Sequence, residues 1–372
     1  MNTRKIKTVR YQERLKSLDV FRGFAMLWII GMDALIHSLA RVWDNPIIKA
    51  LSDQFIHATW NGFRFYDLIF PMFMFATGIA IPFSLGKQLK LGMPKYNVLS
   101  KAAKRTLILI FLGVLYNNRF SFDFENMRYA SVLGQIGVAY FIGASLYLYL
   151  NVKGQFLSAI GILLGFWLCM TLIPVPGIGA GVLTPEGNLS GFIDRLVLPG
   201  TLYRGNYDPQ GVLLMISASV ITIAGALVGT ILRHEKLSQI QKLKILGLIG
   251  LVLVGVSLVW NWVYPINKEI WSSSYNVLTI GLSMILFTVF YYIVDIKKWR
   301  NWILPFILIG FNPILIYMAH RMVNFSYTSK FILIGFMELS GNFSEVVMQA
   351  GVLLLEIGLL YILHRNKVYL KI

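Results

Sequence analysis

A histidine and an aspartate stand close together in a chain that is otherwise strongly apolar. His57 opens the run 57–62 (HATWNG), and Asp67 follows ten residues later, where a long apolar stretch begins. Titratable groups at a membrane boundary usually serve transport or chemistry. The two residues therefore mark a candidate site, although a lone histidine in a loop is usually inert.

Four more ionisable residues, Asp19, Arg22, Asp33 and His37, lie in the first apolar stretch. On a helix that advances about 100° per residue they share a sector roughly 60° wide. An ionised group near the bilayer centre costs about 2.5–3.5 kcal/mol, so we expect this stripe to face the bundle interior or a hydrated cavity. For Asp19 and Arg22 the simpler interpretation is an ion pair that anchors the helix at the inner interface.

Asp33 is predicted to have a functional role, with a structural hydrogen bond to a neighbouring helix as the alternative. It lies about 21 Å beyond Asp19 along a helix, in the outer half of the membrane, where so short a side chain cannot reach water. The segment after the first span can fold back and bring His57 toward Asp33. A histidine held by a carboxylate can take up a proton near neutral pH and return it to a leaving group, so we predict that the two act together in catalysis. The aromatic residues around His57 are also typical of a simple interfacial belt.

The composition identifies the elements that must position these residues. Hydrophobic residues make up 56% of the 372 residues, and the mean hydropathy of +0.65 is too apolar for an ordinary soluble domain. A span needs about 20 apolar helical residues, and ten stretches meet this need: 17–40, 66–86, 102–118, 131–150, 155–173, 211–232, 245–264, 276–294, 302–319 and 345–364. We predict an all-α polytopic membrane protein with about ten transmembrane helices, organised as one domain over residues 1–372.

The net charge of +17 is unevenly distributed along the chain. With the N-terminus inside, 23 of the 34 Lys and Arg residues fall in cytoplasmic segments and ten on the opposite side, while Arg22 lies in the first span. Because membrane proteins concentrate basic residues on the cytoplasmic side, both termini are predicted to be cytoplasmic. The same distribution indicates a lipid bilayer rather than nucleic acid as the partner. The first apolar stretch lacks a small-residue cleavage site, so we expect a retained span and not a signal peptide.

The segments predicted to lie outside are longer than the inner loops and richer in glycine, proline, asparagine and aromatic residues. They are 41–65, 119–130, 174–210 and 320–344. Long loops in a compact protein are often functional, and residues 189–198 are predicted to form a short interfacial helix. Cys169 is the only cysteine, so an intramolecular disulfide is excluded.

Seven short motifs carry a resemblance to a known family. In order, from residue 14 to about 325, they are RLKSLDVFRG (14–23), HATWNG (57–62), DLIFP (67–71), IDR (193–195), YDP (207–209), NKEIWS (267–272) and GFNPILIYMAH (310–320). With these motifs the chain resembles the transmembrane acetyltransferase family of heparan-α-glucosaminide N-acetyltransferase.

The resemblance implies transfer of an acetyl group from cytosolic acetyl-CoA to an amine or hydroxyl of a sugar or glycan beyond the membrane. His57 matches the catalytic histidine of the family, and Asn312 and His320 match positions near the acetyl group. Asp33 stands where relatives can carry asparagine, but an aspartate can also stabilise an imidazolium. The large N-terminal luminal domain of the eukaryotic enzyme is absent, so we expect a bacterial homologue in the cytoplasmic (inner) membrane.

Further residues of these motifs are expected to bind the two substrates. Those expected to contact substrate are Trp60, Asn61, Asp67, Asn312, His320, Lys268 and Trp271, whereas Asp19 and Arg22 are expected to be structural or to bind the donor. Acetyl-CoA is expected to act as donor substrate, with its phosphates on the basic inner loops, and no metal is expected.

The pantetheine arm of acetyl-CoA is expected to reach a thioester site near Asp33, His57, Asn312 and His320. Asn61 or Asn312 would donate a hydrogen bond to the developing oxyanion. His57 is suited either to act as general base toward the acceptor or to form an acetyl-histidine intermediate.

Other classes of function stay open at this point. A proton-coupled secondary transporter, or a lipid or glycolipid flippase, would use Asp33 and His57 as a proton relay, although no internal repeat supports a transporter of inverted repeats. A non-catalytic scaffold would require the polar stripe to be purely structural. The sequence leaves open the acceptor, N- or O-acetylation and the oligomeric state, for which a homodimer is one option.

Overall fold

The computed structural model describes residues 15–121 and 123–370, and within them all regular structure is helical. The α-helices are α1 (Lys16–Leu27), α2 (Asp33–Val42), α3 (Pro46–Gln54), α4 (Phe65–Lys90), α5 (Lys95–Asn118), α6 (Val132–Tyr149), α7 (Val152–Leu172), α8 (Leu189–Val197), α9 (Val212–Arg233), α10 (Gln239–Trp260), α11 (Ser273–Phe290), α12 (Leu304–Phe311), α13 (Pro313–Met322), α14 (Phe325–Leu339) and α15 (Ser344–Arg365). Two π turns, Trp28–Met32 and Tyr291–Ile296, extend α1 and α11. The all-α prediction is confirmed, and α8 is the short helix predicted at 189–198.

Eight helical segments of the described residues are long and apolar enough to cross a membrane, and α12 with α13 would make a ninth if the bent pair is one span. The eight are Lys16–Val42, Phe65–Lys90, Val132–Tyr149, Val152–Leu172, Val212–Arg233, Gln239–Trp260, Ser273–Ile296 and Gly341–Arg365. The polytopic prediction is confirmed, with fewer spans than the ten expected. One difference arises at 102–118, which falls on α5, because the first half of that helix carries four basic residues.

The second difference arises at 302–319, which is not one straight helix. α12 and α13 meet at an angle of 83°, and Asn312 between them has a non-helical backbone conformation. Proline disfavours the helical conformation of the residue before it and lacks an N–H of its own. Pro313 therefore ends α12 at Phe311 and starts a new helix in a different direction.

The first span is also interrupted. The spacing of about 100° per residue used for its four ionisable residues therefore does not apply over its full length. α1 ends at Leu27, and Gly31 in the following π turn has a φ of +126°, which favours glycine. Beyond the break, His37 of α2 bonds to Ser52 of α3 with Nδ1 2.7 Å from the hydroxyl. The break therefore separates Asp33 and His37 from Asp19 and Arg22, so the four ionisable side chains predicted to form one stripe do not lie on one continuous helix.

Two helix crossings bring backbones into direct contact through glycine. A Cβ atom on Gly78 of α4 would lie 2.1 Å from the carbonyl oxygen of Thr222 in α9, and one on Gly225 would lie 2.2 Å from that of Phe75. A Cβ on Gly23 of α1 would lie 1.8 Å from the carbonyl oxygen of Phe306 in α12. Small residues permit such approaches, which stabilise helix pairs in membranes by van der Waals packing. These crossings fix α4 on α9 and α12 on α1.

We predict that Gly78→Leu strongly destabilises the bundle, because the added side chain meets main-chain atoms of α9 that cannot rotate away. Overpacking typically costs roughly 1–3 kcal/mol, so the melting temperature of the detergent-solubilised protein should fall clearly. Gly161→Leu in α7 is the matched control, since a Cβ there has no neighbour within 4 Å. Equal melting of the two variants would contradict this account of the crossing.

Candidate functional site

The carboxylate of Asp67 lies fully buried at the start of α4. Asp67 stands in the first turn of the helix, where its Oδ2 accepts a hydrogen bond of 3.0 Å from the backbone N–H of Arg64. A carboxylate at this position satisfies a free N–H and interacts favourably with the helix dipole. Below it, the hydroxyl of Tyr275 in α11 donates to the Asp67 carbonyl oxygen at 2.7 Å. The helix start and its packing thus hold the carboxylate in place.

His57 is the side chain that this carboxylate binds. Its Nδ1 lies 2.7 Å from Oδ1 of Asp67, and 38% of the imidazole side chain is exposed. Because an ionised carboxylate can only accept, Nδ1 carries the proton and the neutral ring keeps its lone pair on Nε2. The arrangement is that of a general base with its orienting carboxylate.

Lys268 completes a group of three charged or titratable side chains. Its Nζ lies 3.1 Å from Nδ1 and 3.0 Å from Nε2 of His57, and 4.0 Å from Oδ1 of Asp67. An atom in the ring plane at these equal distances would collide with the Cε1–H between the nitrogens, so the ammonium lies over the ring face. Burial lowers the pKa of Lys268, although the carboxylates of Glu269 and Asp67 act in the opposite direction.

A short antiparallel pairing brings the loop of His57 to the loop of Lys268. Asn61 and Asn267 form the bridge, with the Gly62 N–H donating to the Ile266 carbonyl at 2.8 Å. The Asn267 amide donates to Oδ1 of Asn61 at 3.0 Å. Gly62 has a φ of +118°, which permits the chain to turn after the pairing.

An open cleft of about 480 Å³ lies in front of the imidazole. It is lined by Ile56, His57, Ala58, Thr59, Trp60, Pro185, Arg204 and Tyr207. This volume is in the range of small-molecule sites, and the segment 174–210, predicted to lie outside, contributes three of its residues, Pro185, Arg204 and Tyr207.

Aromatic and charged groups form the wall of the cleft opposite His57. The indole of Trp60 donates to the Leu183 carbonyl at 2.8 Å, and its ring meets Tyr207 edge-on at 5.3 Å. The Tyr207 hydroxyl donates to Glu269 at 2.9 Å, and Arg204 lies 3.5 Å from the same carboxylate. Burial and the neighbouring Glu269 raise the pKa of Tyr207, so it remains a hydrogen-bond donor. Our sequence analysis did not single out Arg204 or Glu269, although both lie in or beside the quoted motifs.

Trp271 does not line the cleft, in contrast to the prediction. Its side chain is fully buried, its indole N–H donates to the Pro209 carbonyl at 2.9 Å, and its ring packs on Phe70 at 5.3 Å. It therefore packs beneath the cleft, against residues that hold the site in place, and does not contact its open space. Asn61, by contrast, is exposed beside His57 in the bridge.

Asp33 is linked to His57 through Tyr66 and not directly. The Tyr66 hydroxyl donates to Oδ2 of Asp33 at 3.0 Å, and its ring centroid lies 4.6 Å from that of His57. The carboxylate partner of His57 is Asp67, which the sequence analysis assigned to substrate binding. The position of Asp67 in the first turn of α4 is the signal that could have identified this pairing.

The structure does not bring Asn312 and His320 to the His57 group. The Asn312 side chain is buried and binds the C-terminal segment, donating to the Val368 carbonyl at 3.0 Å and accepting from the Leu370 N–H at 2.9 Å. His320 lies eight residues further along α13 and pairs with Glu356 of α15, 2.7 Å away. The sequence analysis missed Glu356, although an acidic residue inside the predicted span 345–364 was a visible signal.

The remaining predicted residues, Asp19 and Arg22, lie at the crossing of α1 with its neighbours. Asp19 is buried, and its carbonyl oxygen is 2.1 Å from the position of a Cβ on Gly310. The Arg22 guanidinium lies 5.9 Å from the ring centroid of Phe73 in α4. Across the described part of the chain, no group of three or more His, Cys, Asp or Glu side chains could hold a metal ion.

We predict that Asn267→Ala loosens the paired loops, because it removes the bond to Asn61 and leaves buried backbone groups less well satisfied. The free energy of unfolding should fall by about 1–3 kcal/mol, and the Gly62 amide should exchange with solvent deuterium faster than in the wild type. Asn366→Ala is the control, since Asn366 is exposed and donates to the Ile362 carbonyl at 2.9 Å. Unchanged protection of Gly62 would show that the Asn267 side chain does not hold the loops together.

Comparisons with known proteins find sequence similarity over most of the chain. Residues 14–130 match a family described as a domain of unknown function, DUF5009. The heparan-alpha-glucosaminide N-acetyltransferases of Homo sapiens and Mus musculus are 29% and 28% identical to the chain over 96% of its length. The chain spans 60% of the length of these two curated relatives. The resemblance carried by the motifs is confirmed as a similarity to the heparan-alpha-glucosaminide N-acetyltransferases over 96% of the chain.

Proposed function

We propose that this protein is a membrane acetyltransferase that moves an acetyl group from acetyl-CoA to a hydroxyl or amine of a sugar or glycan. The observation that carries the proposal is the pairing of His57 with the buried Asp67 at the edge of an open cleft. The similarity to two named acetyltransferases over 96% of the chain supports the same class of reaction. We place the protein in the cytoplasmic membrane of a bacterium.

In the proposed mechanism the acceptor enters the cleft beside Trp60 and Tyr207, whose rings and hydroxyl suit a sugar. Nε2 of His57 removes the proton from the acceptor hydroxyl or amine as that group attacks the acetyl carbonyl. Asp67 then stabilises the imidazolium through the bond to Nδ1. A nucleophilic role of Nε2, with an acetyl-histidine intermediate, begins from the same free lone pair.

Lys268 has one role in this scheme that follows from its position over the imidazole. When the tetrahedral intermediate forms, a negative charge develops on the carbonyl oxygen, and we assign the ammonium of Lys268 and the exposed amide of Asn61 as the donors that stabilise it. Such preorganised donors lower the barrier of acyl transfer.

The donor and the acceptor are proposed to reach the site from opposite sides. The cleft lies at the end of the bundle where α4 and α11 begin, whereas basic residues are frequent at the other end, where α4 ends and α5 begins. The sequence predicts 23 of the 34 Lys and Arg residues on the cytoplasmic side. Acetyl-CoA is a polyanion, so its phosphates suit the basic end. The sugar suits the aromatic cleft.

We predict that His57→Ala and Asp67→Asn each lower acetyl transfer from acetyl-CoA to glucosamine at least about 100-fold, the lower range of what proton transfer contributes. The asparagine keeps the size of the carboxylate but removes the charge that stabilises the imidazolium. Glu338→Gln, on an exposed position of α14, is the control and should keep full activity. Most of the activity surviving in folded His57→Ala protein would refute the assignment.

A second outcome of the same experiment would favour transport. If the wild type forms no acetylated product and releases no CoA, but dissipates a gradient of sugar or lipid-linked sugar across vesicles, the acetyltransferase proposal fails.

We predict that the reaction is vectorial. In sealed vesicles of known orientation, acetyl-CoA supplied on the cytoplasmic face should acetylate an impermeant amino sugar on the other face only, because His57 lies at the far end of the bundle from the basic loops. The measurement is the mass gain of the acceptor in each compartment. Efficient product formation with both substrates confined to the cytoplasmic compartment would mean that the cleft opens inward.

A further inference from the structure

A second pocket lies at the end of the bundle opposite the cleft. It has a volume of about 250 Å³ and is formed by the C-terminal parts of α4, α6 and α9 with the loop after α9. Its lining residues are Pro82, Lys90, Tyr147, Thr230, Arg233, His234 and Glu235. None of these residues belongs to the seven motifs or contacts the His57 group, and the proposed acetyl transfer does not use them.

The guanidinium of Arg233 is held rigidly in this pocket. Arg233 is the last residue of α9, and it packs on the backbone of α4, where a Cβ atom on Gly86 would lie 2.1 Å from Nη1. The same Nη1 donates to the Pro82 carbonyl and, at 3.4 Å, to the Tyr147 hydroxyl. Among the described residues, Nε and Nη2 have no hydrogen-bond partner. Both groups are therefore available to a ligand.

Arg233 also lacks an acidic partner. Arg128 and Arg204 each pair with a carboxylate, whereas no carboxylate of the described chain lies within 4.0 Å of the Arg233 nitrogens. Glu235 shares the pocket, but it is exposed and lies close enough to Lys242 to interact with it electrostatically. A partly buried charge is costly unless it is paired. A bound anion would supply the counter-charge that the chain does not.

The pocket lies where the bundle meets a membrane surface. α4 and α9 are both long and apolar enough to span a bilayer. Pro82 lies about 12 Å before the end of α4, whereas Lys90 and His234 are exposed at the helix ends. Beyond these ends, the side chains of Leu91 and Tyr149 are exposed, as is typical of residues at the interface. The pocket thus extends from the hydrocarbon boundary to the headgroup region.

We propose that this pocket binds the phosphate of an anionic phospholipid, with Nε and Nη2 of Arg233 on two phosphate oxygens and Lys90 at the rim. A planar guanidinium matches phosphate through parallel hydrogen bonds, and basic pockets between transmembrane helices bind anionic headgroups. A soluble phosphate ester offers the same oxygens, but only a lipid also buries acyl chains against the apolar faces of the helices. The proposal is independent of the acetyl transfer.

Binding at this position would tie three helices together. The phosphate would contact Arg233 of α9 and Lys90 of α4, and Arg233 in turn contacts Tyr147 of α6. A ligand that binds only the folded protein stabilises it by mass action. An anionic lipid should therefore raise the melting temperature of the protein, and the rise should depend on the pocket.

The test titrates dioleoyl phosphatidylglycerol into the detergent-solubilised full chain and measures the Kd of the first bound lipid by native mass spectrometry. Dioleoyl phosphatidylcholine, with the same chains and no net charge, should bind at least about fivefold more weakly. Arg233→Gln should raise the Kd for phosphatidylglycerol about tenfold, and Arg233→Lys should recover part of the affinity. Lys90→Gln should raise it roughly fivefold, and this exposed position serves if Arg233→Gln does not fold.

Arg365→Gln is the matched control, because Arg365 is also the last residue of a membrane span, α15, and is exposed outside the pocket. It should bind phosphatidylglycerol as the wild type does. Glycerol 3-phosphate, which lacks acyl chains, should not raise the melting temperature at concentrations at which phosphatidylglycerol does. Equal binding of the two lipids, an equal loss in Arg365→Gln, or unchanged affinity in Lys90→Gln and Arg233→Gln would each overturn the proposal. Equal stabilisation by glycerol 3-phosphate would overturn it in favour of a soluble phosphate ester.

Discussion

The arrangement of the cleft depends on the buried carboxylate of Asp67. A charge without access to water must be paired and hydrogen-bonded, and Asp67 obtains this from His57, from the Arg64 N–H and from the Lys268 ammonium 4.0 Å away. These contacts join the loop before α4, the first turn of α4 and the loop before α11. The same contacts fix the protonated nitrogen of His57 and leave Nε2 free. The folding of the loops and the reactivity of the imidazole thus have one electrostatic cause.

Interrupted helices place the other polar groups inside the membrane region. Asp33 begins α2 directly after a π turn, and His320 lies in α13 after the bend at Asn312. Breaks at this depth are tolerated where the freed backbone groups are buried in protein and find partners. At the second break the Asn312 side chain is itself satisfied by the C-terminal segment. Each break changes the direction of the helix, so that Asp33 and His320 face the interior of the bundle. A straight helix would place these side chains elsewhere.

Much of the architecture was predictable because bilayer thickness and backbone hydrogen bonding leave helices as the simple solution for apolar stretches. The effect of Pro313 was also accessible, since a proline inside a predicted span pushes the preceding residue out of the helix. The π turn at Gly31 could not be predicted from the sequence. Glycine is common within membrane helices, and its conformation depends on the residues that pack against it. The prediction of a stripe of four ionisable residues therefore assumed one continuous helix, whereas the first span is broken at Gly31.

The sequence by itself determined the membrane class, the prominence of His57 and the resemblance to a family of acetyltransferases, because hydropathy and short motifs are local properties. Only the tertiary structure decided that Asp67 is the partner of His57, that Lys268 lies over the imidazole from 211 residues away, and that Trp271 is buried below the cleft. It also paired His320 with Glu356 across two helices. Such contacts depend on helix crossings, bends and loop pairings, and no local pattern of residues fixes the distance between side chains that distant segments bring together.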